Sequence, residues 1–289
     1  MSSSPATPRP ARSTPGTFWR SPVLAPLGFL GGRVLMALEQ IGACVFLLGA
    51  AGLWVVRSVT RRRVRIGRPA IITQIVRIGA RSVFIVALVS SAVGLILAFQ
   101  LSPPLDQFGQ KELVANIIAV AVLRELGPLI GAIVLTGFAG ASIAAEIGTM
   151  VVGEEVEALE AHALDPVRFL VVPRVAASIV SMTVLAVLSS VVAILAALAI
   201  SVTVLAIPPN TFINNMLTQA KLVDFVTGTS KGAVFGMLIG AIACANGLRV
   251  TGGAAGVGRA TTGTVVQCVV AIVIADLAFT AAFYALKLF

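Results

Sequence analysis

The sequence predicts an all-α integral membrane protein, with an N-terminal interfacial helix followed by five transmembrane helices. Three observations carry that expectation. Of 289 residues, 58% are hydrophobic and only 11% charged, against roughly 45–50% and about 25% in soluble domains. The mean hydropathy of +1.02 belongs to a chain whose main solvent is lipid. The apolar residues also fall into long runs, and about 20 residues suffice for a helix to cross a bilayer. These figures exclude a soluble enzyme, a disordered chain, a collagen and a disulfide scaffold.

The net charge of +9 comes from 21 basic and 12 acidic residues. Twelve of the seventeen arginines precede residue 82, around the first hydrophobic segments. Basic residues placed there report membrane orientation and contact with anionic lipid, not nucleic acid.

Residues 1–22 are rich in Ser, Pro, Thr and Arg, and the chain as far as residue 30 reads as a disordered cytoplasmic tail. It is not a secretory signal, because no apolar core with a small-residue cleavage site follows. Residues 31–289 then form one membrane domain. Its first apolar run, 34–56, has arginines on both sides: Arg33 before, and Arg57 with Arg61, Arg62, Arg63, Arg65 and Arg68 after. A spanning helix would place one basic flank outside, which the positive-inside rule disfavours. An interfacial helix with both ends cytoplasmic is preferred.

Spans are expected at about 80–102, 113–150, 167–206, 231–248 and 262–286. The first is uncharged from 82 to 105, with Arg77 and Arg81 at its cytoplasmic end and Pro103-Pro104 marking its stop. The second is long enough that it must tilt or kink, and Pro128 is the expected kink. From residue 169 onward the third carries only Arg174, and it ends at Pro208-Pro209. Residues 210–230, with Lys221 and Asp224, read as a polar external segment. The glycine-rich stretch 249–260 reads as a flexible cytoplasmic turn; it lacks the Gly-Lys-Ser/Thr ending of a phosphate loop.

Between the second and third spans, 153–168 gathers five acids, Glu154, Glu155, Glu157, Glu160 and Asp165, with Leu164 just before the last. Within 153–164, Val156, Leu159 and Ala163 give a short apolar stripe against the glutamate face. Asp165-Pro166 matches an N-cap followed by proline at the first helical position. Two readings stand side by side, a coupling helix that receives force from a cytoplasmic partner and a solvated connector.

Arg124, Glu125, Glu146 and Asp276 lie at membrane depth, where ionisable residues pair or line a pathway. Arg124 could pair with Glu146 or Asp276, or serve the backbone freed by Pro128. Small residues recur at helical spacing at Gly140, Ala144 and Gly148, and again at Gly236 and Gly240, which marks close helix packing. No catalytic site is expected. His162 is the only histidine, the three cysteines form no CxxC pair, and Ser90-Ser91 and Ser189-Ser190 have no activating base, since no lysine is placed deep in a span. The chain has no Walker motif and no metal site, so active transport would draw on a separate ATPase or an ion gradient.

Several segments resemble one family: Leu-Arg-Glu-Leu-Gly-Pro-Leu at 123–129, Gly-Phe-Ala-Gly-Ala-Ser-Ile-Ala-Ala-Glu-Ile-Gly at 137–148, Glu-Val-Glu-Ala-Leu at 155–159 and Leu-Asp-Pro-Val-Arg-Phe-Leu-Val-Val-Pro-Arg at 164–174. Shorter matches are Lys-Gly-Ala-Val-Phe-Gly at 231–236 and Gly-Val-Gly-Arg-Ala-Thr-Thr at 256–262. Co-linear over roughly residues 70–285, the sequence resembles the MlaE/YrbE permeases of ABC transporters that work with MCE-domain lipid-binding proteins. The resemblance implies an interfacial helix plus five spans and a permease dimer, with a homodimer preferred over pairing with a second permease. It implies a cytoplasmic ABC ATPase that binds the ATP, contacted by a coupling helix at Glu154, Glu155, Val156, Glu157, Leu159, Glu160, Leu164 and Asp165. It also implies periplasmic MCE partners, phospholipid or related cargo and a bacterial inner-membrane location, while the arginine flanks put the N-terminus in the cytoplasm. The alternative is an ion-coupled carrier using the intramembrane carboxylates Glu146 and Asp276.

Overall fold

The structure, a computed structural model, describes residues 25–60 and 68–287. The described residues are almost entirely helical, with no strand among them. The tail as far as residue 24, and Arg61, Arg62, Arg63 and Arg65, lie outside the described residues.

The chain divides into two compact units, Met1–Val45 and Phe46–Phe289. In the first, the described residues are the leading part of helix α1 (Ala25–Thr60), along which Leu35, Leu38, Ile41 and Val45 are exposed. The apolar stretch of α1 among the described residues, Leu38–Trp54, is shorter than those of the five long helices below.

The second unit holds five helices long and apolar enough to cross a membrane: α2 (Pro69–Gln107), α3 (Lys111–Val152), α5 (Val167–Thr203), α7 (Leu222–Leu248) and α8 (Gly253–Ala285). Two short helices join them, α4 (Glu155–Ala161) and α6 (Pro209–Gln219). Helix α5 packs on α2, α3 and α7, while α8 packs on α3 and α7. Burial ranks them. In its most apolar window α7 is 67% buried and α8 only 11%, so α7 is the inner helix and α8 a peripheral one.

The core combines large apolar side chains such as Leu135, Met182, Leu185, Phe235 and Ile239 with stripes of small and polar residues where helices approach closely. On α2, Ser82, Val86, Ser90, Gly94, Ala98 and Ser102 form a buried stripe at strict four-residue spacing. Phe84, Leu88, Ile96 and Phe99 of the same helix are exposed. Hydrocarbon solvates a phenylalanine as well as a protein core does, so packing favours whatever lets backbones approach. Ser90 and Ser189 share a buried Oγ···Oγ hydrogen bond of 2.7 Å between α2 and α5. A Cβ added at Gly94 would overlap the Ala193 carbonyl.

Helix α7 carries this furthest. The pair Gly236 and Gly240 belongs to a longer ladder, Gly228, Gly232, Gly236 and Gly240. A Cβ at Gly236 would stand 2.5 Å from the Ser178 carbonyl oxygen and 2.7 Å from Met182 Cβ; at Gly240, 3.0 Å from Val175 Cα. At Gly228 it would overlap the Leu123 carbonyl oxygen of α3. Gly236→Ala is therefore expected to destabilise by about 1–3 kcal/mol, the usual penalty of overpacking. Gly258→Ala, where nothing lies within 4 Å, should be neutral or stabilising. Paired thermal melts in one detergent check this; equal melting of the two variants would refute the ladder.

Four boundaries differ from the sequence reading. Pro103-Pro104 does not stop α2, which continues to Gln107. Each proline removes only its own N–H, and the stop comes at Gly109, whose φ of +67° suits glycine. There the Gly109 N–H donates to Asp106 O and the Gln110 N–H to Leu105 O, both 2.9 Å, a Schellman closure. Second, the expected break at Pro128 takes the form of a π-turn over Val122–Leu126, directly before Gly127-Pro128. The widened turn makes room for a ring that would otherwise crowd the Arg124 carbonyl. A second π-turn spans Thr136–Gly140. Third, the span expected to begin at 231 begins at Leu222, inside the segment 210–230 that reads as polar and external. That segment contains α6, with Phe212 buried, and the first nine residues of α7. Fourth, the glycine-rich stretch is mostly helix. Gly252 and Gly253, at φ +83° and +67°, make the turn that opens α8, and a Cβ at Gly256 would overlap the Thr251 carbonyl oxygen.

Candidate functional site

The acid-rich segment folds into a rigid corner. Helix α3 ends at Val152, and Glu154 turns the chain with a left-handed φ of +58°. Helix α4 follows and is closed by a second Schellman motif: Ala163, φ +56°, donates to Glu160 O at 2.9 Å, and the Leu164 N–H to Leu159 O at 3.0 Å. Left-handed backbone at Glu154 and Ala163 costs about 1–2 kcal/mol each without glycine, so the corner holds a defined shape against local strain. Val156 and Leu159 are half buried, while Glu154, Glu155, Glu157 and Glu160 are exposed. Ala163 is exposed and does not extend the apolar stripe, because the helix has already ended.

Asp165 finishes the corner with both carboxylate oxygens. Its Oδ1 accepts the Val167 N–H at 2.8 Å, the cap that Asp-Pro spacing indicates. Its Oδ2 accepts the indole Nε1–H of Trp54 at 3.0 Å. The Arg168 guanidinium stands 5.5 Å from the Trp54 ring centroid and 5.2 Å from that of Phe169. The second half of α1 is thereby tied to the junction of α4 and α5.

Two buried charge groups lie within the spans. In the first, Arg124 Nε donates to Asp224 Oδ1 at 2.6 Å. Beside it, Lys231 Nζ donates to Glu125 Oε2 at 2.6 Å, Asp276 Oδ1 at 3.0 Å and Thr280 Oγ1 at 3.1 Å. Thr280 in turn donates to Glu125 Oε1 at 3.0 Å. Lys231 is 1% exposed, and its three donors are all used, as an ammonium in a low-dielectric interior requires. Helices α3, α7 and α8 are thus joined by one ion cluster.

In the second group, Glu146 accepts from Arg77 Nη2 at 2.6 Å and from Arg174 Nη2 at 3.3 Å, which links α3 to α2 and α5. Ser142 Oγ approaches Glu146 Oε1 at 3.4 Å. Arg124 therefore pairs with neither Glu146 nor Asp276: each of those acids has other cationic partners, and Asp224 takes Arg124.

Sequence reasoning missed Asp224 and Lys231, which the external reading of 210–230 and the placement of lysines only outside the spans had set aside. The available signal was their spacing of seven residues, two helical turns, with the Gly228–Gly232 step between them. Of the expected packing residues, Ala144 is fully buried and Gly148 would bring a Cβ to 2.9 Å from Val250 Cγ2. Gly140 would meet only ordinary contacts, the nearest 3.6 Å.

This architecture, five apolar spans around paired intramembrane charges with one acid-faced corner, defines a multi-pass membrane protein. A family model described as Permease MlaE matches residues 71–282. A probable ABC transporter permease of Rickettsia typhi is 34% identical over 210 residues, covering 73% of this chain and 81% of the relative. Another from Synechocystis is 34% identical over 238 residues, covering 82% and 88%. The chloroplastic protein TRIGALACTOSYLDIACYLGLYCEROL 1 of Arabidopsis thaliana is 34% identical over 211 residues, covering 73% of this chain and 60% of the plant protein. The chain belongs to the MlaE family of ABC transporter permeases.

Proposed function

We propose that this chain is the membrane permease of a lipid-moving ABC transporter, powered by a separate cytoplasmic ATPase that binds the ATP. The observation that carries the reading is the α4 corner. It is a strained, doubly closed turn with its glutamates exposed, in a chain whose relatives are named ABC transporter permeases. Such transporters in general divide the work between a permease and an ATPase. A rigid acidic projection between two spans suits the task of receiving its motion.

Lipid cargo is supported by the outward-facing apolar side chains of the spans, notably Val266, Val270, Ile274 and Leu277 along α8, and by the galactolipid in the plant relative's name. The thinly buried α8 also leaves surface for a second protomer, and we favour a homodimer with MCE-domain proteins on the outer side. The excess of arginine before residue 82 favours an inner-membrane orientation with the N-terminus and α4 cytoplasmic. An ion-coupled carrier would need titrating carboxylates. Glu146 and Asp276 are instead engaged by cations.

Purification of the complex in mild detergent, with mass spectrometry of subunits and bound lipid, tests this. A subunit bearing a Walker motif and copurifying lipid are expected. ATP-independent transport by the purified chain alone would overturn the proposal.

A further inference from the structure

The end of the second unit that carries α4 holds a cavity of about 200 Å³ between α2 and α3. Its polar lining is Gln74, Arg77 and Arg81 from α2 with Ser142 and Glu146 from α3, and Phe138 supplies an apolar wall. We infer that this cavity is a binding site for a phosphate-bearing group, with Arg77 and Arg81 as its anion ligands.

The charge balance is the first support. Glu146 is the acid of the group, and it is shared by Arg77 and by Arg174 behind it. Arg81 has no acid partner among the described residues. Three guanidiniums against one carboxylate leave a formal excess of two positive charges at this end of the spans, available to an anion.

Geometry is the second support. Arg77 meets Glu146 through one Nη2 and keeps its side chain 46% exposed, so donors of its fork remain for another acceptor. Arg174 is 7% exposed, and its buried Nε has no hydrogen-bond partner. Glu146 is thus shared between Arg174 and Arg77, and leaves Arg77 only part of its counter-charge. Paired arginines match the oxygens of a phosphate in a way that a lysine cannot.

Size and surroundings are the third. A water takes about 30 Å³ of liquid, so the cavity accommodates a phosphate's five heavy atoms with room to spare. Phe138, which lines the cavity, is 45% exposed and offers apolar contact to whatever carries the phosphate. The shared chemistry is a phosphate with apolar surface beside it. Its source is either a lipid headgroup or free phosphate. The inference rests on these side chains and not on the proposed cargo.

The full-length protein in nanodiscs, studied by native mass spectrometry, provides the test. Three matrices are compared: phosphatidylglycerol, a phosphate-free galactolipid with the same chains, and that galactolipid with added inorganic phosphate. Retention of phosphatidylglycerol over galactolipid is expected, reduced at least tenfold by Arg81→Gln and by Arg77→Gln. Arg81→Gln is the decisive variant, because it breaks no ion pair among the described residues and leaves the fold a fair comparison. Retention of inorganic phosphate in the third matrix, lost in the same variant, supports the site and assigns its source as the free ion. Equal retention of both lipids with no bound phosphate overturns the inference, as does unchanged retention in Arg81→Gln.

Discussion

Lys231→Met is expected to destabilise the protein by about 3–5 kcal/mol, the usual consequence of removing one partner from a buried ion group. Methionine nearly matches lysine in length, so the lost quantity is charge and hydrogen bonding, with little change in volume. Glu125 and Asp276 would then face each other without the cation that holds both at 2.6 and 3.0 Å. Neither can simply turn to water, because the cluster sits about two turns into α7 from Leu222 and the same distance from the end of α8. The cluster also ties α8 to the inner helices, and α8 has little other burial to hold it. Adding Glu125→Gln and Asp276→Asn to Lys231→Met removes the stranded charges. That triple variant should recover most of the loss, since an apolar or neutral replacement of a whole buried group is often tolerated. Thermal unfolding of the purified variants in identical nanodiscs measures this. A single variant that melts with the wild type, or a triple variant no better than the single, would show that the cluster does not hold α8.

The same residues show what a single sequence can reveal and where it fails. Helix α2 was legible because 82–105 has no charge and hydrophobicity alone decides a span. The Asp165 cap was legible because its chemistry is local: Asp-Pro places a carboxylate beside the N–H two residues on. Lys231 was not. A lysine inside a span reads as a boundary unless its counter-charges are known, and those lie 106 and 45 residues away in sequence. The Pro103-Pro104 stop failed for a different reason: the end of α2 is set by Gly109, a backbone conformation that composition does not reveal. The glycine-rich stretch misled because glycine serves both flexible turns and close packing, and here Gly256 does the second.

Glu157→Lys is expected to leave the melting temperature of the permease nearly unchanged while weakening its hold on the ATPase about tenfold, or ~1.4 kcal/mol. Glu157 is exposed on α4 and makes no ion pair among the described residues, so its reversal alters the presented charge without disturbing the corner. Surface substitutions away from special features usually stay within about 0.5 kcal/mol. Leu159→Arg should behave differently. Leu159 is half buried beside Val156, and its carbonyl accepts the Leu164 N–H that closes the helix. Arginine there would lift α4 off the spans and lower stability and ATPase binding together. The contrast matters because a corner that merely connects two spans would be sensitive at Leu159 and indifferent at Glu157. A corner that transmits force must be read from its exposed side as well, and it must be braced, which is what Trp54 on one oxygen of Asp165 and the α5 backbone on the other provide. Copurification of the ATPase and ATP-driven transport in proteoliposomes distinguish the two. Full ATPase binding and transport with Glu157→Lys would leave α4 as a connector, and the motor would have to dock elsewhere on the permease.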